Sequence, residues 1–260
     1  MQTYAITLEP AVDGGFVFVR ETVVRGQECV SLLVSYREAD GNRSLPSWKV
    51  FHFHDTSETA GIRRAGALHD QEYLRPDGAN QAAFLFWLHT HHPDIYAMIR
   101  KTVALAMPFF DDFVLRPRSL ALGEEQIQLL WRQKGSDYPL WPSQLSDGSL
   151  RFIALTTALL QPAPPATILI DEPELGLHPY AITLLGSLLR GASERMQVIV
   201  STQSLPLINE FAIEDLLIVE REEGNTVFRR HTEERVASWL EEYSVGDLWM
   251  KNLLGGRPQS

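Results

Sequence analysis

Apolar and polar positions alternate like a strand over the first ten residues, and short apolar runs separated by polar, glycine-marked stretches continue to about residue 55. The runs 4–8, 15–24, 29–36 and 48–54 are rich in β-branched and aromatic residues, and Gly14-Gly15, Gly26 and Gly41-Asn42 interrupt them. That pattern predicts an antiparallel β meander over 1–55. A polar stretch follows, with Pro76-Asp77-Gly78 as a turn and a helix predicted over 80–89. At 93–107, Ile95, Met98, Ile99, Thr102 and Val103 recur at helical spacing, and two strands are predicted near 113–116 and 127–133. Residues 56–142 therefore read as a helical and mixed middle lobe. From 143 the pattern changes: helices predicted over 145–160, 180–190, 206–211 and 233–243 alternate with strands at 166–170, 197–201, 216–220 and 226–230. Short apolar strands alternating with helices predict an α/β lobe over 143–260 whose parallel sheet is covered on both faces. Ligands of such sheets sit at the carboxyl ends of the strands.

The residues at those ends carry the chemistry. The strand at 166–170 runs straight into Asp171-Glu172-Pro173. One carboxylate there can hold Mg²⁺ through water, and the other can take a proton from an attacking water. Upstream, Leu145-Ser146-Asp147-Gly148-Ser149-Leu150-Arg151 opens a helix. A serine and a glycine at a helix start leave a hydroxyl and backbone N–H groups able to meet a phosphate, although Ser146 also suits a plain N-cap. After the carboxylates come Glu174-Leu175-Gly176-Leu177-His178-Pro179 and a helix, and the next strand closes on Ser201-Thr202-Gln203-Ser204.

In that order, the four segments resemble the C-terminal half of an ABC-type ATPase of the RecF/SMC-like group, close to the bacterial predicted AAA-family ATPases. LSDGS resembles the ABC signature, ILIDE the Walker B strand and ELGLHP the D-loop region, while STQS stands where the switch histidine usually lies. The flanks His52-Phe53-His54-Asp55-Thr56-Ser57, 109–113 and 253–258 resemble the same group. The resemblance implies a P-loop NTPase fold and ATP hydrolysis by a head-to-tail dimer, coupled to a partner protein or to nucleic acid. It assigns Mg²⁺ to Asp171, polarisation of the attacking water to Glu172 and γ-phosphate sensing to Gln203. Ser146, Asp147 and Gly148 are assigned to the nucleotide bound on the opposite protomer, Gly176 and His178 to the D-loop, and Arg151 to anchoring the signature helix.

Two departures stand out. No glycine-rich loop ending in Gly-Lys-Ser/Thr occurs, and none of the four lysines, Lys49, Lys101, Lys134 and Lys251, follows such a loop. Relatives of the group carry that Walker A loop ahead of the β meander. The expectation is a missing N-terminal segment, with a half-site that docks on an intact ATPase as the non-enzymatic alternative and a defence or repair subunit as a third. Gln203 replaces the usual histidine; glutamine orients a water or phosphate oxygen by hydrogen bonds but carries no positive charge.

Composition narrows the setting. A chain of 260 residues with 45% hydrophobic and 22% charged residues is that of a globular protein, and no apolar run approaches the roughly 20 residues of a membrane helix. The single Cys29 excludes an internal disulfide and a cysteine zinc cage, which suits a reducing cytoplasm. The net charge of −10 argues against coating a phosphate backbone. Residues 100–134 hold the one locally basic stretch (Arg100, Lys101, Arg116, Arg118, Arg132, Lys134), interleaved with acids as a solvated face would be. His52 with His54, and His89 with His91 and His92, have spacings zinc accepts, although surface or interface histidines give the same pattern. Trp239, Tyr243 and Trp249 read as core packing beside Leu240 and Leu248 rather than as a stacking platform.

Overall fold

The computed structural model describes residues 2–10, 16–25, 28–30, 48–121, 123–222 and 225–255. The chain divides into two compact units, Met1–Ser47 and Trp48–Ser260. In the first, β1 (Gln2–Pro10) and β2 (Phe16–Arg25) form an antiparallel pair, with Gln2 opposite Arg25 and Pro10 opposite Phe16. The short β3 (Glu28–Val30) continues the sheet beside β2. The predicted meander is present up to this point; positions 31–36 of its third strand and the turn at Gly41-Asn42 lie outside the described residues.

The second unit opens with β4 (Trp48–Phe51). Read from sequence as the last strand of the meander, it instead pairs parallel with a strand more than 110 residues away. Alternation over four residues looks the same in either setting; burial of Phe51 at 1% exposure in the main core shows where it belongs. After β5 (Gly66–Ala67), two helices follow, α1 (Gln81–His91) and α2 (Pro93–Ala106). Pro93 opens α2, where its fixed φ and missing N–H suit the first turn. Small antiparallel sheets then form from β6 (Phe110–Val114), β7 (Arg118–Ser119), β8 (Glu125–Ile127), β9 (Leu130–Gln133) and β10 (Pro139–Leu140): β9 lies between β6 and β10, and β8 between β5 and β7.

The centre of the unit is α3 (Asp147–Leu160). Leu150, Phe152, Ile153, Ala154, Leu155, Ala158 and Leu159 are all at most 1% exposed, as expected of a helix apolar all round. Each buried leucine, isoleucine or phenylalanine contributes about 1.5–3 kcal/mol. Next come β11 (Thr167–Asp171), α4 (Pro179–Ser193), β12 (Gln197–Ser201) and the one-turn α5 (Leu205–Ile208). The parallel sheet has the order β12-β11-β4, with Val50 and Ile199 both in register with Leu169, and Ser201 in register with Asp171. Because side chains alternate along a strand, Phe51, Ile168 and Ile170 point into the core shared with α3 and α4. Val50 and Ile199 point the other way and are 42% and 41% exposed. The expectation of a sheet covered on both faces is therefore met on one face only among the described residues.

The chain ends in a hairpin, β13 (Ile218–Glu222) with β14 (Asn225–Arg229), and two short helices, α6 (Glu233–Leu240) and α7 (Val245–Met250). Ile213, Ile218, Val236, Leu248 and Leu254 form a separate small core there, with Leu240 and Trp249 packed against it. Of the three aromatics read as core packing, Trp249 packs there but Trp239 and Tyr243 do not: they are 40% and 36% exposed. No helix among the described residues is long and apolar enough to cross a membrane.

Candidate functional site at the carboxyl edge of the parallel sheet

β11 and β12 end side by side, and three bonds tie their ends together. The Ser201 hydroxyl donates to Asp171 Oδ1. The Glu172 N–H donates to the Ser201 carbonyl at 2.9 Å, and the Thr202 hydroxyl donates to Glu174 Oε1. Glu172 has φ = 37°, in the left-handed region. A non-glycine residue held there costs on the order of 1–3 kcal/mol, and such strain gathers at functional positions. The Asp171 side chain is 60% exposed, and its Oδ2 lies 3.8 Å from His54 Nε2 beyond the end of β4. Gln203 is exposed in the loop after β12. Asp171 and Glu172 at the end of β11, and Gln203 in the loop just after β12, read from the sequence as one site, thus lie at the same edge of the sheet.

The start of α3 is locked to the same edge by two arginines. Arg151, buried at 5% exposure, donates through Nε to the Phe53 carbonyl at 3.0 Å, through Nη2 to the His54 carbonyl at 3.2 Å and through Nη1 to the Leu175 carbonyl. It anchors the helix, as the sequence suggested. Arg63 donates to the carbonyls of Thr56 and Pro142 at 2.7 and 2.5 Å and to Asp147 Oδ1 at 2.7 Å. The Arg63 guanidinium, with Thr56, holds the Asp147 carboxyl below its ordinary value. Ser146 caps α3, its hydroxyl accepting from the Ser149 N–H at 3.2 Å and donating to Ser149 Oγ at 2.9 Å.

Ser146 and Asp147 are exposed, whereas Gly148 is buried. A β-carbon on Gly148 would lie 2.0 Å from the Gly176 carbonyl oxygen, so the signature segment and the loop after β11 touch backbone to backbone within one chain. Gly176 itself needs its missing side chain, since its φ is +77°. His178 caps α4, with Nδ1 accepting from the Tyr180 N–H at 3.3 Å. None of the bonds that hold Ser146 and Asp147 among the described residues runs to Asp171, Glu172 or Gln203.

The donor set fits a hard cation at Asp171, an exposed carboxylate beside a hydroxyl, of the kind Mg²⁺ takes through water. No group of three potential metal-binding side chains occurs among the described residues. Among the histidines weighed for zinc, His91 and His92 pack on Trp87 at 5.5 and 4.8 Å, and His89 packs on Tyr96 at 4.7 Å. Three of the four lysines are engaged away from the edge. Lys49 lies 3.9 Å over the Tyr73 ring, Lys134 donates to the Pro108 carbonyl at 2.8 Å, and Lys251 lies 4.8 Å over Tyr243. Sequence reasoning missed Arg63, Thr202 and the acceptor role of Glu174. The polar ends of the STQS and ELGLHP segments were its nearest signal.

The family model described as "AAA domain, putative AbiEii toxin, Type IV TA system" matches residues 38–209. Among solved structures, the Smc head bound to the C-winged helix domain of ScpA is similar, with 16% identity and a TM-score of 0.51 over 73% of this chain and 57% of that one. That likeness shows the fold. An Smc head domain with an extended coiled coil, from Pyrococcus furiosus, has 16% identity and a TM-score of 0.44 over 64% of this chain and 44% of that one. A chain from work on ATP-driven dimerisation and DNA-stimulated activation of SMC ATPases has 18% identity and a TM-score of 0.42 over 60% and 94%. No curated protein matches the sequence.

Proposed function

Because the chain belongs to this AAA domain family, we propose that it is the hydrolytic part of an ABC-type ATPase that closes as a head-to-tail dimer around ATP. The observation that carries the reading is the tied edge itself: Asp171 and the strained Glu172 at the end of β11, with Gln203 just beyond the end of the neighbouring β12. In this reading Asp171 would hold Mg²⁺, which would supply charge neutralisation to the phosphates. Glu172 accepts the proton of the attacking water. Gln203 orients the water or a γ-phosphate oxygen by hydrogen bonding. Ser146 and Asp147 face the nucleotide held by the partner protomer, where the N-terminus of α3 favours negative charge. Gly148 and Gly176 support that face from behind, because their close contact fixes where α3 begins.

The β- and γ-phosphates need a backbone cradle and a lysine that these 260 residues do not contain. Among the described residues, the outward faces of Val50 and Ile199 and the position of β12 at the sheet's edge support a further strand–loop–helix unit there. A strand parallel to β12 would end at the Asp171 edge, and its crossover helix would cover the bare face. The same observation favours the second reading, in which an intact ATPase protomer supplies that unit and this chain docks as a half-site. A role in defence or repair, DNA binding and an effector protein are parts of the proposal that rest on the resemblance, and a cytoplasmic location is a part that rests on the single Cys29.

Calorimetry separates these readings from a misplaced site. The 260-residue chain should bind Mg-ATP weakly or not at all at micromolar concentration. The same chain extended at its N-terminus by a strand, a Gly-x-x-x-x-Gly-Lys-Ser/Thr loop and a helix should bind it. Tight binding by the unextended chain would place the nucleotide elsewhere.

A further inference from the structure

The loop that follows β11 carries a third acid, Glu174, whose bonds differ from those of Asp171 and Glu172. Its Oε1 accepts from the Thr202 hydroxyl, while its Oε2 is buried without a donor. The Thr202 oxygen in turn accepts from the Ser204 N–H at 3.0 Å. The Ser204 hydroxyl accepts from the Leu207 N–H at 3.4 Å, at the start of α5. A hydroxyl has one proton, and it presents its lone pairs to Ser204 only in a rotamer that sends that proton elsewhere. The Glu174 carboxylate receives it, through a charge-assisted bond stronger than a neutral one. An unsatisfied buried carboxylate oxygen lowers stability, so packing alone does not account for an acid at this position.

β12 ends at Ser201, so strand pairing does not fix Gln203. One hydroxyl holds the backbone on either side of it, and Glu174 holds that hydroxyl. We propose that Glu174 is a positioning residue that acts through Thr202 to set Gln203 at the sheet edge beside Asp171 and Glu172. Contact of Gln203 with a γ-phosphate rests on the function proposed above; the positioning does not.

Amide hydrogen exchange of the 260-residue chain, followed by NMR, tests it. Thr202→Val keeps the side chain's shape without the hydroxyl, and Glu174→Ala removes the acceptor; each should speed exchange at Ser204 about tenfold. Thr202→Ser keeps a hydroxyl and Glu174→Gln keeps an acceptor oxygen, so both should stay within about threefold of wild type. Amides in α3 and β11 should exchange at wild-type rates in all four variants, whereas a merely structural role would speed them together with Ser204. Unchanged exchange at Ser204 in either Thr202→Val or Glu174→Ala overturns the proposal, and Glu174→Leu, which keeps bulk without an acceptor, replaces Glu174→Ala if that variant does not fold. In the extended, ATP-hydrolysing form, Thr202→Val and Glu174→Ala should lower kcat about tenfold with KM changed by less than about twofold. Exchange that responds while kcat does not would keep the positioning and refute the phosphate role of Gln203.

Discussion

Gly148→Ala measures how closely the signature segment and the loop after β11 are joined. The added β-carbon would sit 2.0 Å from the Gly176 carbonyl oxygen and 2.8 Å from its carbonyl carbon, both backbone atoms that no rotamer can move aside. Ordinary contact requires one segment to retreat by about an ångström or more, and overpacking of this kind costs roughly 1–3 kcal/mol. Alanine is the better helix former by up to about 1 kcal/mol, which offsets part of that cost. The expected net loss is about 1–2 kcal/mol, or a melting temperature lower by roughly 2–8 °C for a unit of this size. Gly191→Ala in α4 is the internal control, because a β-carbon there meets nothing within 4 Å. It should raise stability by about 0.4–1 kcal/mol. Thermal melts of the two variants beside wild type give the answer. If Gly148→Ala melts at or above wild type, the two loops are not in contact and the joined edge described above is wrong.

Two further perturbations probe the same edge. Arg63→Ala should return the Asp147 pKa, followed by carboxyl NMR, toward the ordinary aspartate value. The folded-state pKa is depressed, so the stabilisation is present above the ordinary value of 3.8 and lost as pH falls through the folded one. The variant should therefore lack that part of the acid-induced loss, and an unmoved Asp147 titration would show that Arg63 is not its partner. Ser146→Arg in the extended chain should block ATP-dependent dimerisation in sedimentation while single-protomer Mg-ATP binding persists. A plain N-cap role predicts only destabilisation of about 0.5–2 kcal/mol, with dimerisation intact.

What could be read from the chain depended on how local its cause was. α3 was legible by the length of its apolar run, α4 because its apolar residues recur at helical spacing, and β11 and β12 because short apolar runs between helices have few other uses. β4 was assigned to the wrong sheet, since Trp48-Lys49-Val50-Phe51 alternates whichever neighbour it has. The strand read at 127–133 is two, β8 and β9, in different sheets, because the backbone turns between them, where the Leu130 N–H donates to the Gln128 carbonyl at 2.9 Å. α7 was missed although its signal was present, a capping box formed by Ser244 and Asp247. At the site, strand-end carboxylates and the LSDGS helix start were visible as motifs. The Arg63–Asp147 pair spans 84 residues of sequence, and no periodicity reports such a contact. Nor did the motifs show that Gly148 is covered from within its own chain, because that depends on the path of the loop through Gly176.

Glu172→Gln in the extended chain tests the central claim most directly. The amide keeps the side chain's shape but cannot take the proton of an attacking water, so steady-state hydrolysis should fall by about 10²-fold or more. Mg-ATP binding should persist, and sedimentation should show a dimer that outlives the wild-type one because its nucleotide is not consumed. A variant that hydrolyses ATP at the wild-type rate would remove the general base from Glu172, and with it the assignment of the β11–β12 edge as the hydrolytic site.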